Sequence, residues 1–143
     1  MAELNSKQIK YYAQKELGID LIGIASARPD ERGLSHLKDF IENGFQGEMH
    51  YLTDYSKRVN PEQILPDAKS VIVIGVNYYR EKPATALGKG RVARYAYGRD
   101  YHKVFRKILK QLVKFIEEQS PKSKNRICVD SAPLLEKSYA EKA

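Results

Sequence analysis

The sequence predicts an α/β fold: a single domain over residues 1–143 with a mixed or mostly parallel sheet and flanking helices. Three observations support this. Apolar residues recur at helical spacing over residues 6–17, 35–43 and 100–118. Short runs of branched apolar residues at 21–25, 70–76 and 126–130 alternate with those helices. A length of 143 residues, 42% hydrophobic and 30% charged, suits one compact unit around one core.

Taken in order, Ser6 to Leu17 reads as a helix: Ser6 can cap it, Ile9, Tyr12, Ala13 and Leu17 keep the period, and Gly18 offers a stop. Leu21 to Ala25 is a short strand. Ser35 to Asn43 is a second amphipathic helix, with Leu37, Phe40 and Ile41 inward and Gly44 closing it. Residues 46–69 read as irregular. Ser70 to Val76 is the clearest strand, because four consecutive branched apolar residues suit burial on both faces at the centre of a sheet. Arg80 to Gly90, with Pro83, Gly88 and Gly90, reads as a mobile surface loop.

Asp100 to Glu118 is the strongest helix. Tyr101, Val104, Phe105, Ile108, Leu109, Leu112, Phe115 and Ile116 make one stripe, while Arg106, Lys107, Lys110 and Lys114 take other positions. A strand from Arg126 to Asp130 follows a polar turn, and a helix starts near Pro133, with Ser131 as its cap. That helix runs to Ala143 with no Gly or Pro stop, so the expectation is a chain cut in mid-helix with a frayed C-terminus.

Composition excludes several classes. No run approaches the roughly 20 apolar residues of a membrane helix, and residues 1–6 lack the basic then apolar order of a signal peptide, so a cytoplasmic protein without membrane contact is expected. Cys128 is the only cysteine, which rules out an internal disulfide and a cysteine-ligated cluster held by this chain alone. The formal charge of +7 favours anionic partners such as nucleic acid, or else is a merely basic surface. The expected state is monomeric.

Three segments carry a resemblance. Arg94-Tyr95-Ala96-Tyr97-Gly98-Arg99-Asp100-Tyr101-His102-Lys103 is the first. The second is Val129-Asp130-Ser131-Ala132-Pro133-Leu134-Leu135-Glu136, with Ala140 to Ala143 after it. Gly47 to Leu52, followed by Arg58, Pro61 and the strand at Ser70, is the third and loosest. Together they resemble the epoxyqueuosine reductases, which reduce epoxyqueuosine at the tRNA anticodon wobble position to queuosine using cobalamin and two [4Fe-4S] clusters.

The resemblance implies that residues 1–143 are the N-terminal, cobalamin-binding-type domain, that the cysteine-rich 4Fe-4S ferredoxin-like segment is absent, and that this chain alone is inactive. It implies cobalamin as cofactor, clusters not ligated here, and a tRNA anticodon loop carrying epoxyqueuosine as partner.

It also places the family's proposed proton donor on Asp130. Opening an epoxide and losing its oxygen as water requires a proton on that oxygen, which a carboxylic acid can supply. Asp130 could instead cap the last helix, but Pro133 has no N–H to offer it and Ser131 is better placed.

The resemblance suggests cobalamin contact for Arg58, which equally reads as a surface arginine. Arg94 and Arg99 can bind phosphate of cofactor or tRNA, or form internal salt bridges. Tyr97, with its neighbouring tyrosines, can stack on a corrin ring or a base. Asp100 reads as the cap of the long helix. His102 lacks a second ligand at helical spacing and reads as structural or hydrogen-bonding, and His36 and His50 as surface residues. Gly88 to Arg91 only faintly resembles a phosphate loop.

The competing readings are a basic tRNA-binding module without chemistry of its own and a generic flavin- or nucleotide-binding α/β domain.

Overall fold

The computed structural model describes residues 4–79, 81, 88 and 90–143. Most of the predicted 80–90 loop, and Lys89 of the faint phosphate motif, therefore lie outside the described residues.

Asn5 opens α1 (Ser6–Lys15), its side chain accepting the N–H groups of Lys7 and Gln8 while Gln8 reaches back to the Asn5 N–H. Two of the helix's four unpaired N-terminal donors are met this way, so the cap is one residue earlier than Ser6. β1 (Leu21–Ser26) follows, then α2 (Glu31–Glu42), which starts before Ser35 because Asp30 caps it through the Gly33 N–H. The stretch expected to be irregular holds α3 (Tyr55–Val59) between single 3-10 turns at His50–Thr53 and Pro61–Gln63. After β2 (Ser70–Gly75) come a 3-10 turn at Arg94–Ala96, α4 (Tyr101–Gln119) and α5 (Glu136–Lys142).

The sheet corrects the expectation of a mixed or mostly parallel arrangement. Among the described residues it has two strands, β1 and β2, and they are antiparallel, with Leu21 opposite Gly75 and Ser26 opposite Ser70. Residues 126–130, expected to be a strand, form none. A ladder needs a neighbour at hydrogen-bonding distance, and these residues instead share the lining of a cavity with β2. Short branched runs report burial as readily as strand pairing. For the same reason β2 is half-buried rather than covered on both faces.

One face of the sheet builds the core. Ile22, Ile72 and Ile74 pack on Ala13 and Ile19 at α1 and on Leu112 and Ile116 of α4. Tyr12 and Phe115 stack with ring centroids 3.9 Å apart and join the two helices. Here the sequence periodicity and the packing agree.

The other face receives α5. A side chain at Gly23 would meet Ala143 at 2.6 Å, so only glycine permits this approach. Tyr139 is fully buried, its hydroxyl donating to the carbonyls of Arg28 at 2.8 Å and Val59 at 3.0 Å. Lys142 pairs with the buried Asp30 at 2.5 Å. The expected frayed terminus is therefore a docked helix. It starts at Glu136 rather than Pro133, because Leu134 and Leu135 turn to bond the carbonyls of Ala132 and Arg58, and Ser131 bonds the Val129 N–H instead of capping.

Candidate functional site

The start of α4 and the turn after residue 129 meet at one point. Asp100 caps α4, its Oδ1 accepting the His102 N–H at 3.0 Å, so the cap expected there is the cap observed. The first two helical side chains, Tyr101 and His102, then project together and stack at 4.1 Å. Tyr101 donates its hydroxyl to Asp130 Oδ2 at 2.6 Å. His102 Nε2 stands 3.9 Å from the same oxygen, and its Nδ1 lies 2.9 Å from Asp100 Oδ1.

Asp130 itself occupies left-handed backbone space, with φ of +49°. Non-glycine residues there carry strain of order 1 kcal/mol and need local support. Glu136 supplies it by accepting the Asp130 N–H at 2.9 Å. Asp130 therefore presents an exposed carboxylate on a backbone held from below.

The electrostatics follow from these contacts. The bond to Asp130 pushes the Tyr101 phenol up to about 12, with burial and the Asp130 charge adding to it, so the hydroxyl stays a donor at neutral pH. The His102 side chain and backbone hold the Asp100 carboxyl below its ordinary value. Burial pushes Glu136 up, against the Asp130 N–H that favours its anion, and the Asp130 charge raises it further. Burial also raises the Cys128 thiol, and Glu136 adds to that.

Asp130 and Glu136 line two cavities. One is an apolar cavity of about 770 Å³ against Val71, Val73, Phe105, Leu109 and Cys128. The other is a more open cleft of about 970 Å³ against Leu37, Phe40, Tyr51 and Arg58. The structure thus brings Arg58 and Asp130 into one cleft. Arg58 lies over the Tyr51 ring at 5.3 Å and donates to the Tyr51 carbonyl at 3.4 Å, while its buried Nε has no partner among the described residues.

Arg94, Tyr97 and Arg99 lie on the segment leading into α4 and line neither cavity. Arg94 is partly buried over the Tyr79 ring at 4.4 Å, Arg99 is exposed, and Tyr97 is 39% exposed. His36 and His50 are exposed surface residues. Among the described residues no three His, Cys, Asp or Glu side chains gather as metal ligands, and no helix is long and apolar enough to cross a membrane.

Two partners of Asp130 escaped the sequence reading. Tyr101 begins the apolar stripe and reads as core, yet its hydroxyl turns to the carboxylate. Glu136 carries no signal apart from the motif that contains it, since its role depends on the left-handed turn at Asp130.

Comparison with known proteins gives a consistent result. A family model described as "Epoxyqueuosine reductase QueG, DUF1730" matches residues 58–131. The epoxyqueuosine reductase of Leadbetterella byssophila is 38% identical over 139 residues, covering 96% of this chain and 45% of that protein. The solved epoxyqueuosine reductase of Streptococcus thermophilus is similar with a TM-score of 0.82 at 29% identity, covering 96% of this chain and 38% of the other. A crystal structure of epoxyqueuosine reductase with a tRNA-Tyr epoxyqueuosine-modified stem loop matches with a TM-score of 0.76 at 28% identity, covering 96% and 37%. This chain spans less than half the length of each of these relatives.

Proposed function

The chain belongs to the epoxyqueuosine reductase family, and from that premise we propose that it forms the N-terminal, cobalamin-binding part of an enzyme that reduces epoxyqueuosine to queuosine in tRNA, with Asp130 as the proton donor. One observation carries the reading: Asp130 is held in a strained backbone conformation by Glu136 and presented, with Tyr101 and His102 on its carboxylate side, at the rim of a cleft that also holds Arg58. Strain maintained around one exposed carboxylate is the mark of a group kept for chemistry.

Reduction of the epoxide breaks both carbon–oxygen bonds, and the oxygen leaves as water only after taking up protons. Asp130 delivers a proton to that oxygen. Tyr101 holds the carboxylate in place through its hydroxyl, and Glu136 holds the backbone.

Cobalamin, when bound, supplies the nucleophilic or electron-donating metal centre. The residues present fit such a group: the open cleft, the Tyr51 ring and the Arg58 guanidinium in its lining offer an apolar wall, a stacking face and a positive charge. Arg94, Tyr97 and Arg99 remain candidates for phosphate or ring contact at the neighbouring segment. The chain does not fit a [4Fe-4S] cluster, because one cysteine cannot provide its four thiolates. Electron delivery thus belongs to the cysteine-rich segment of the family, and this chain alone is inactive.

The reading as a tRNA-binding module has its own support in the exposed Lys103, Arg106, Lys107, Lys110 and Lys114 of α4 and the exposed rings of Tyr78, Tyr79 and Tyr95. It is compatible with the first, since the substrate is a tRNA and the reaction follows it to the cytoplasm. No observation favours the flavin alternative.

Titration with hydroxocobalamin tests the cofactor assignment. Binding should shift the visible spectrum of the corrin, and Arg58→Ala should weaken it about tenfold, the loss of one charge-assisted hydrogen bond. Affinity unchanged in Arg58→Ala would remove that residue from the site, and no spectral shift even in a chain carrying the cysteine-rich segment would remove the cofactor assignment.

A further inference from the structure

Asp130 gives up its proton in each turnover and must regain it. Tyr101 is the nearer neighbour at 2.6 Å, yet a phenol pushed up to about 12 is a poor proton source at neutral pH. Of the groups around the carboxylate, His102 alone is an imidazole, whose two ring nitrogens can take a proton on one side and pass one on at the other, and its Nε2 faces Asp130 Oδ2.

Its orientation is constrained. The ionised Asp100 carboxylate can only accept, so the neutral imidazole must carry its hydrogen on Nδ1, the nitrogen 2.9 Å from Asp100 Oδ1. Nε2 is then left bare, facing Asp130 Oδ2 at 3.9 Å. A small swing of the ring or one bridging water closes that gap. The His102 side chain is 41% exposed and so also reaches solvent.

We propose that Asp100 and His102 form a proton-feeding pair that reloads Asp130 between turnovers. This rests on the reading of Asp130 as the proton donor. The balance is simple: the Asp130 carboxyl passes its proton to the substrate oxygen, the His102 imidazolium passes the Nε2 proton to the Asp130 carboxylate, and the neutral imidazole recovers a proton at Nε2 from water. Asp100 keeps Nδ1–H throughout. His102 is thus a positioning and relay residue acting through Asp130, and the cap of α4 serves a second purpose. Glu136, Tyr101 and Lys103 are the other titratable groups nearby: Tyr101 donates to the same Asp130 oxygen, and Glu136 accepts the Asp130 backbone N–H.

Two measurements test it. In the 15N-labelled chain, long-range 1H–15N spectra of neutral His102 should show the Nδ1–H tautomer favoured about tenfold or more, as one charge-assisted hydrogen bond implies. Asp100→Asn retains a capping side chain, so helix content should hold while the tautomer shifts toward Nε2–H. An Nε2–H tautomer in the unaltered chain, or no shift in Asp100→Asn, overturns the proposal. In a reductase complete with its cluster-binding segment, His102→Ala should lower steady-state turnover about tenfold or more, and added imidazole should restore it. No slowing, or slowing that imidazole leaves untouched, overturns the relay. Asp130→Asn in the same assay separates the two ideas: if that variant turns over normally, the reading of Asp130 fails rather than the feeding pair.

Discussion

Asp130 shows how one residue's backbone conformation sets where its side chain is presented, which the side chain's identity alone does not announce. Aspartate tolerates the left-handed region better than most residues, but it leaves no mark in a sequence comparable to a glycine, so the turn that aims it was not legible. The motif around Asp130 was legible, and so was the Asp100 cap. What could not be read was that Tyr101, Glu136 and His102 converge there, because the convergence depends on two segments about thirty positions apart meeting in space. The support is testable. Glu136→Ala removes the acceptor for the Asp130 N–H and should cost about 1–2 kcal/mol in chemical unfolding, whereas Glu136→Gln keeps an acceptor and should cost less than half of that. Equal losses in the two variants would mean that the carboxylate charge, not the hydrogen bond, holds the turn.

Among the elements, β1, β2 and α4 follow from local pattern, and their existence matched the periodicity that predicts them. The run at 126–130 is not a strand because pairing is a property of neighbours, and no pattern in five residues says which neighbour is present. α5 was misjudged for a related reason. Its last residues look uncapped in sequence, but Tyr139 and Lys142 reach the loop before α2, where the buried Asp30 waits. Burial opposes the Asp30 anion, yet the Lys142, Ser138 and Gly33 donors together outweigh it and hold the carboxyl below its ordinary value of 3.8. A depressed carboxyl stabilises the fold above that ordinary value, and the contribution is lost as pH falls below it. Urea midpoints should therefore drop below pH 3.8 in the unaltered chain. Asp30→Asn should be about 2 kcal/mol less stable at pH 7 and should lose that acid dependence. An acid limb that persists unchanged in Asp30→Asn would assign it to other carboxylates.

At the scale of the whole molecule, a two-stranded sheet with helices on both faces leaves the edge of β2 beside the apolar cavity that Cys128 also lines. Burial and the Glu136 charge raise the Cys128 thiol, which leaves less of it as the reactive thiolate. Iodoacetamide at pH 8 should consequently modify the folded chain several-fold more slowly than the chain in urea, and equal rates would show the cavity wall to be open to solvent. The charge of +7 and the basic face of α4 fit the anionic macromolecular substrate proposed above. The central proposal is that Asp130 is the proton donor. The most direct test is turnover of epoxyqueuosine-containing tRNA by the reductase carrying Asp130→Asn, a change that keeps the side chain's shape and its acceptor for Tyr101 but removes the proton. Turnover should fall on the order of a hundredfold or more with hydroxocobalamin binding unchanged, and turnover at the unaltered rate would contradict the account.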